Sequence, residues 1–180
     1  MNMNYKGIEF EAIVATPCCG KSYLCDKYPD RFVDADEVRL RCKYFVPEGL
    51  TRDELEKTKC DRPFARRADH KQYVADMENA LDQYRKEGKI LILAPHPEAI
   101  EYLVKRNIKF AFVYQKKDMK EELENRMRRR GNAENVIKYF SDKFDEFYAK
   151  NIKENDSVVH YQFGKDEYLE DIIKLFGIKL

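Results

Sequence analysis

Tryptophan is absent from the 180 residues, and the charges nearly cancel, with 34 Lys plus Arg against 33 Asp plus Glu. No stretch approaches the roughly 20 consecutive apolar residues that a membrane-spanning helix needs. The charge balance argues against a protein that coats nucleic acid through a general basic surface, local basic clusters aside. Residues Met1–Gly7 lack the apolar segment of a secretory signal, so the expected location is cytoplasmic. No C-x-x-C pair occurs among the cysteines at 18, 19, 25, 42 and 60, and the histidines lie scattered at 70, 96 and 160. A zinc site is therefore not expected, and the thiols are read as reduced. In place of indole, 11 Phe and 12 Tyr supply apolar bulk. A chain of this length can bury a substantial core as one domain, residues 1–180.

The apolar residues fall into short runs. Ile8–Ala15, Ile90–Ala94 and Phe110–Tyr114 lose polar alternation, as strands buried on both faces do. Arg31–Asp34 and Val158–Phe163 add two further strands. Helices are expected over Lys21–Lys27, Glu37–Phe45, from the capping box Thr51–Glu54, and over residues 64–87, 98–106, 118–130, 133–150 and 167–176. Five strands alternating with helices imply a parallel sheet covered on both faces, a three-layer α/β/α fold. Ligands bind such sheets beyond the carboxyl ends of the strands. That rim would gather Ala15–Ser22, Asp34, Asp36, Pro95 and His96, and the loop after Tyr114.

The segment Glu11–Leu24 reads as strand, tight turn and helix. Within it Ala15–Ser22 follows the phosphate-loop pattern G-x-x-x-x-G-K-[ST], with Ala15 in place of the first Gly. In such a loop successive backbone N–H groups converge on phosphates, Lys21 adds a point charge and Ser22 a hydroxyl for Mg²⁺. The expected nucleotide contacts are Ala15, Thr16, Pro17, Cys18, Cys19, Gly20, Lys21, Ser22 and Tyr23. A helix N-terminus lowers thiol pKa, which makes Cys18 and Cys19 candidates for an oxidative block of binding. Phosphoryl transfer also needs charge neutralisation, and Glu124–Asn132 carries Arg126, Arg128, Arg129 and Arg130. On a helix Arg126 aligns with Arg129 and Arg130, while Arg128 faces away. Residues 118–133 would then form a phosphate-clamping lid, the alternatives being a solvated helix end, whose dipole favours cations, and an RNA-binding patch. Asp34 would orient an acceptor, and Asp36 either shares that role or caps the next helix. His96 would meet substrate or bond to backbone. Arg62, Arg66 and Arg67 would dock an acceptor phosphate or lie on the surface, with residues 37–87 as the acceptor-binding helical region. Tyr44, Phe45 and Phe64 would stack a base there or fill the core.

Taken together, Ala15–Ser22, Phe32–Asp36 and the Arg126–Asn132 segment resemble the P-loop nucleoside monophosphate kinase group. They are most similar to small phage and bacterial nucleotide-kinase-like proteins within it. Arg130-Gly131-Asn132 matches the end of that group's lid pattern, with Met127 where the first lid Arg would stand and Arg126 one place earlier. The resemblance implies a P-loop NTPase fold, with ATP and Mg²⁺ as cofactors. It further implies Lys21 and Ser22 as nucleotide and metal ligands, and Arg130 and Arg126 as lid arginines. Cys18 stands where the group carries another Gly, and no acidic residue ends the Ile90–Ala94 strand. Mg²⁺ would therefore rely on Ser22, Asp34 or water. The resulting expectation is a monomeric or weakly dimeric kinase that phosphorylates a nucleotide. The alternatives are a small-molecule hydroxyl kinase of shikimate or gluconate type, and a nucleotide-binding protein without turnover.

Overall fold

A computed structural model describes residues 3–5, 8–35, 42–44, 65–67, 70–145 and 157–176. Its centre is a five-stranded sheet of β3 (Ala12–Ala15), β4 (Phe32–Asp34), β7 (Ile90–Leu93), β8 (Phe110–Gln115) and β9 (Val158–Phe163). These stand in the order β4-β7-β3-β8-β9, and every pairing is parallel. Apolar residues occupy successive positions in these strands because the sheet is covered on both sides. Side chains alternate between its faces.

The alternation sorts the core into two layers. Ile13, Ala15, Ile90, Ile92, Ala111 and Val113 pack with residues of α1 (Lys21–Lys27) and α6 (Leu169–Leu175). Their neighbours Ala12, Val14, Leu91, Leu93, Phe110 and Phe112 pack with residues of α2 (His70–Lys86) and α3 (Pro97–Lys105) on the opposite face. Each fully buried Ile, Leu or Phe contributes roughly 1.5–3 kcal/mol, so both layers favour this register over a one-residue slip.

After β8 the chain leaves the sheet through a 3₁₀ turn (Lys117–Met119), α4 (Lys120–Arg129) and α5 (Glu134–Asp142). Met119, Leu123, Met127, Ile137 and Phe144 give this pair a small core of its own, and Cys18 packs against it. Gly131, at φ 80°, turns the chain between the two helices. The Gly131 and Asn132 amides bond back to the carbonyls of Arg128 and Met127 and close the end of α4.

Several boundaries differ from expectation. Residues 8–15 form two strands: β2 (Ile8–Phe10) pairs antiparallel with β1 (Met3–Tyr5), while β3 joins the main sheet. Glu11 divides them, its amide bonded to the Lys109 carbonyl. Cys42–Tyr44, read as helix, is strand β5. It pairs antiparallel with β6 (Ala65–Arg67), which takes up the residues assigned to the start of the long helix. Backbone groups that a helix would satisfy locally are satisfied there by a partner about 20 residues away, and α2 begins only at His70. The capping box at Thr51–Glu54, residues 37–41 and 146–150, and Arg62 and Phe64 lie outside the described residues.

The connections define where a ligand would sit. From β3 the chain passes through α1 to β4 on one side, whereas from β8 it passes to β9 on the other. β3 and β8 are neighbours whose exits diverge, and such a switch point opens a crevice at the strands' carboxyl ends. The loop Thr16–Gly20 lies at that point.

Candidate functional site

The loop between β3 and α1 has its carbonyls and its amides pointed at different jobs. The Thr16 amide continues the sheet by donating to Val113 O at 3.1 Å. Lys21 Nζ folds back to donate to Ala15 O and Thr16 O, both at 3.3 Å. Pro17 O accepts from Gln115 Nε2 at 2.7 Å, and Cys18 O from the Arg126 guanidinium at 3.2 Å. Cys19 O accepts from the Leu169 amide at 2.8 Å. Every carbonyl from Ala15 to Cys19 is thus engaged by a donor drawn from β8, α1, α4 or the start of α6. The amides of Cys18, Cys19, Gly20 and Ser22 have no acceptor among the described residues. Cys18 at φ 59° and Gly20 at φ 95° are both left-handed. Alternation of this kind turns consecutive N–H groups toward one side and makes a concavity that suits an anion. For Gly20 the conformation is free, whereas Cys18 adopts it at a cost of roughly 1–2 kcal/mol.

Beside the loop, Ser22 Oγ donates to Asp34 Oδ2 at 3.3 Å. Asp34 ends β4 and is only 2% exposed. A hydroxyl and a carboxylate side by side are hard oxygen donors of the kind that Mg²⁺ takes, directly or through water. Mg²⁺ keeps several waters and takes one or two carboxylates together with substrate phosphates, so one carboxylate beside a hydroxyl is compatible with it. Among the described residues no group of three or more His, Cys, Asp or Glu side chains could hold a metal ion.

The sequence places the residues after Tyr114 on the rim as a loop without singling out Gln115, which is instead the last residue of β8. It is 3% exposed. Its Oε1 accepts from Thr16 Oγ1 at 2.6 Å while its Nε2 holds Pro17 O. The signal was present, since a polar residue closes an otherwise apolar strand, but a strand end is an ordinary place for one.

The lid arginines separate. Arg126 is buried, and all three of its nitrogens are engaged. Nε pairs with Glu122 at 3.0 Å. The terminal nitrogens reach the carbonyls of Cys18, Lys165 and Glu167. The guanidinium lies 4.2 Å from the centre of the Tyr168 ring. Arg129 is exposed and pairs with Glu122 at 2.7 Å. Arg128, exposed as expected, pairs with Glu124 and Glu134. Arg130, also exposed, reaches the Cys18 thiol. The Arg126 side holds the Glu122 carboxyl below its ordinary value.

The remaining candidates lie at different distances from this centre. His96 immediately precedes α3, where its carbonyl accepts from the Ala99 and Ile100 amides; its ring packs edge-on against Tyr73, at the rim beyond β7. Tyr23 is on the outer side of α1, where its hydroxyl accepts from Lys27. Asp36 lies outside the described residues, as does the side chain of Arg66, whose backbone is part of β6. The expected drop in thiol pKa is not found. Burial pushes Cys18 up, against the opposing pull of Arg130 and Lys21. Burial pushes the fully enclosed Cys19 up as well. Desolvation outweighs the cations here and works against the thiolate form at both positions.

No helix among the described residues is long and apolar enough to cross a membrane. No protein-family model matches the sequence, and no curated protein matches it. A similar solved structure is that of an uncharacterized protein from Eubacterium ventriosum ATCC 27560, 16% identical and aligned over 92% of this chain and 95% of that one. Its TM-score of 0.44 is a loose likeness of chain path and carries no functional weight.

Proposed function

We propose that this chain binds ATP with Mg²⁺ at Ala15–Ser22 and transfers the γ-phosphoryl group to a nucleotide. The observation that carries the reading is the division of the loop, whose carbonyls are all engaged while the amides of Cys18, Cys19, Gly20 and Ser22 are left to an anion. Lys21 supports it, because its two bonds to carbonyls are long and exchange readily for a phosphate oxygen. Ser22 and Asp34 would hold the metal, which would offset the charge of the phosphates. Asp34 would also orient the acceptor, and Arg130 and Arg129 would face the transferring group when α4 and α5 move.

A second reading, binding without turnover, is favoured by Arg126. Its guanidinium is already consumed by Glu122 and three carbonyls, so the cation that the lid was expected to supply is committed to structure. A hydroxyl kinase acting on a small metabolite is kept apart from a nucleotide kinase by the acceptor alone.

A coupled assay of ADP release across nucleoside monophosphates and hydroxy acids tests all three readings, with Lys21→Ala as the control. Loss of a positioned charge of this kind costs about 10²–10³ in kcat. Turnover in Lys21→Ala equal to wild type would sink the phosphate-loop reading. ATP binding with no acceptor-dependent ADP release would leave the binding module.

A further inference from the structure

We infer that Gln115 is the positioning residue of the anion-binding loop: from the end of β8 it sets which way the Thr16–Cys18 backbone faces. The inference rests on the reading of Ala15–Ser22 as a polyphosphate site and adds a determinant that the phosphate-loop motif does not contain.

Gln115 offers one acceptor and one donor to neighbouring loop residues, and each is matched. Thr16 Oγ1, on a residue with no exposure, donates to Oε1 at 2.6 Å. Nε2 donates to Pro17 O at 2.7 Å. Proline has no N–H, so Pro17 gives the loop a carbonyl without a compensating donor. Left unpaired, that oxygen would be drawn to water or to Lys21, on the side where the amides collect. Gln115 holds it away. The neighbouring residue, Cys18, then takes φ 59°, a conformation that its side chain opposes and that persists only where flanking contacts impose it. The backbone contacts that flank it are Gln115 on Pro17 O and Arg126 on Cys18 O, beside the packing of the Cys18 side chain on the α4–α5 core and its contact with Arg130.

Neither hydrogen bond alone demands glutamine; the pair does. Glutamate would accept from Thr16 but repel the Pro17 carbonyl. Methionine would match the shape and satisfy neither. β8 is paired on both sides, so Gln115 stands at the end of an interior strand of the sheet.

The test uses the full chain and two readouts. Binding of inorganic tripolyphosphate with Mg²⁺ is measured by calorimetry for wild type, Gln115→Met and Thr16→Val. The backbone conformation of Cys18 is followed without ligand by the NMR shifts of its Cα and Cβ and by its HN–Hα coupling. Gln115→Met is expected to weaken tripolyphosphate by about tenfold or more, the equivalent of ~1.4 kcal/mol, and to shift the Cys18 signals off the single left-handed conformer. Thr16→Val, which leaves the Pro17 contact in place, is expected to lose less and also serves if Gln115→Met does not fold. A folded Gln115→Met, or a Thr16→Val standing in for it, with unchanged Cys18 signals overturns the inference whatever the chain binds. Unchanged tripolyphosphate affinity in either folded variant also overturns it. Wild type that binds neither tripolyphosphate nor ATP overturns the nucleotide reading instead, and the Cys18 signals then decide the role of Gln115.

Discussion

Arg126 shows how a residue of the right type in the right segment acquires a different task. On the sequence it is one of four arginines in a charged helix end. In the fold its side chain is only 5% exposed, and it joins α4, the Thr16–Gly20 loop and the residues before α6. Removing one partner of a buried pair strands the other charge and costs about 3–5 kcal/mol. Arg126→Met would strand Glu122 and three carbonyls, although exposed Arg129 keeps part of the Glu122 charge paired. A loss of about 3 kcal/mol in a urea-unfolding experiment is expected. Arg129→Met, which removes an exposed pair, is expected to cost no more than about 1 kcal/mol. Equal small losses for both would show that Arg126 is a solvated lid cation after all. The sequence could not separate them, because helical spacing aligns Arg126 with Arg129 and Arg130 without saying which face finds carbonyls.

At the scale of elements, α1 and α6 lie side by side on one sheet face, and Glu170 ties them. It accepts from Lys27 at 2.9 Å, from the Tyr28 hydroxyl at 3.0 Å and from Lys174 at 3.1 Å. The Lys27 bond, with smaller contributions from Lys174 and Tyr28, depresses its carboxyl to about 2. Lys27 is raised by the same contact. A depressed carboxylate stabilises the fold above its unfolded pKa, and that stability is lost as pH falls from about 4.5 toward 2. Chemical unfolding of wild type and Glu170→Gln between pH 7 and pH 3 should therefore show a gap that narrows on acidification. A gap independent of pH would mean that Glu170 acts through shape alone. The α1–α6 contact also marks what was legible. Ile90–Leu93 and the stretch 110–114 of β8 announced themselves because burial on both faces leaves no polar positions there. Val158–Phe163 matched its expected span residue for residue. The β5–β6 pair did not, since Cys-Lys-Tyr and Ala-Arg-Arg carry no apolar run and each is defined only by the other. Gln115 was missed for a similar reason. Its role comes from Thr16 and Pro17, about a hundred residues earlier.

For the whole molecule, the switch point between β3 and β8 gathers the loop amides, Lys21 and the Ser22–Asp34 pair at the carboxyl ends of the strands. If ATP with Mg²⁺ occupies it, mass action stabilises the entire fold, since the unfolded chain offers no such site. A ligand at a hundred times its Kd adds about 2.7 kcal/mol. For a chain of this length each kcal/mol raises Tm by roughly 2–4 °C, so a rise of about 5–10 °C is expected. The share that depends on Mg²⁺ should pass through Asp34, whose buried carboxylate is the charged group in hydrogen-bond reach of Ser22 among the described residues. Asp34→Asn keeps the shape and the hydrogen bond but removes the charge that a hard divalent cation requires. Melting curves for both proteins with ATP, with ATP and Mg²⁺, and with ATP and EDTA separate these contributions. Wild type should gain most with Mg²⁺, while Asp34→Asn should respond equally with and without the metal. A Mg²⁺-dependent gain that survives in Asp34→Asn would move the metal away from the Ser22–Asp34 pair and onto the nucleotide alone.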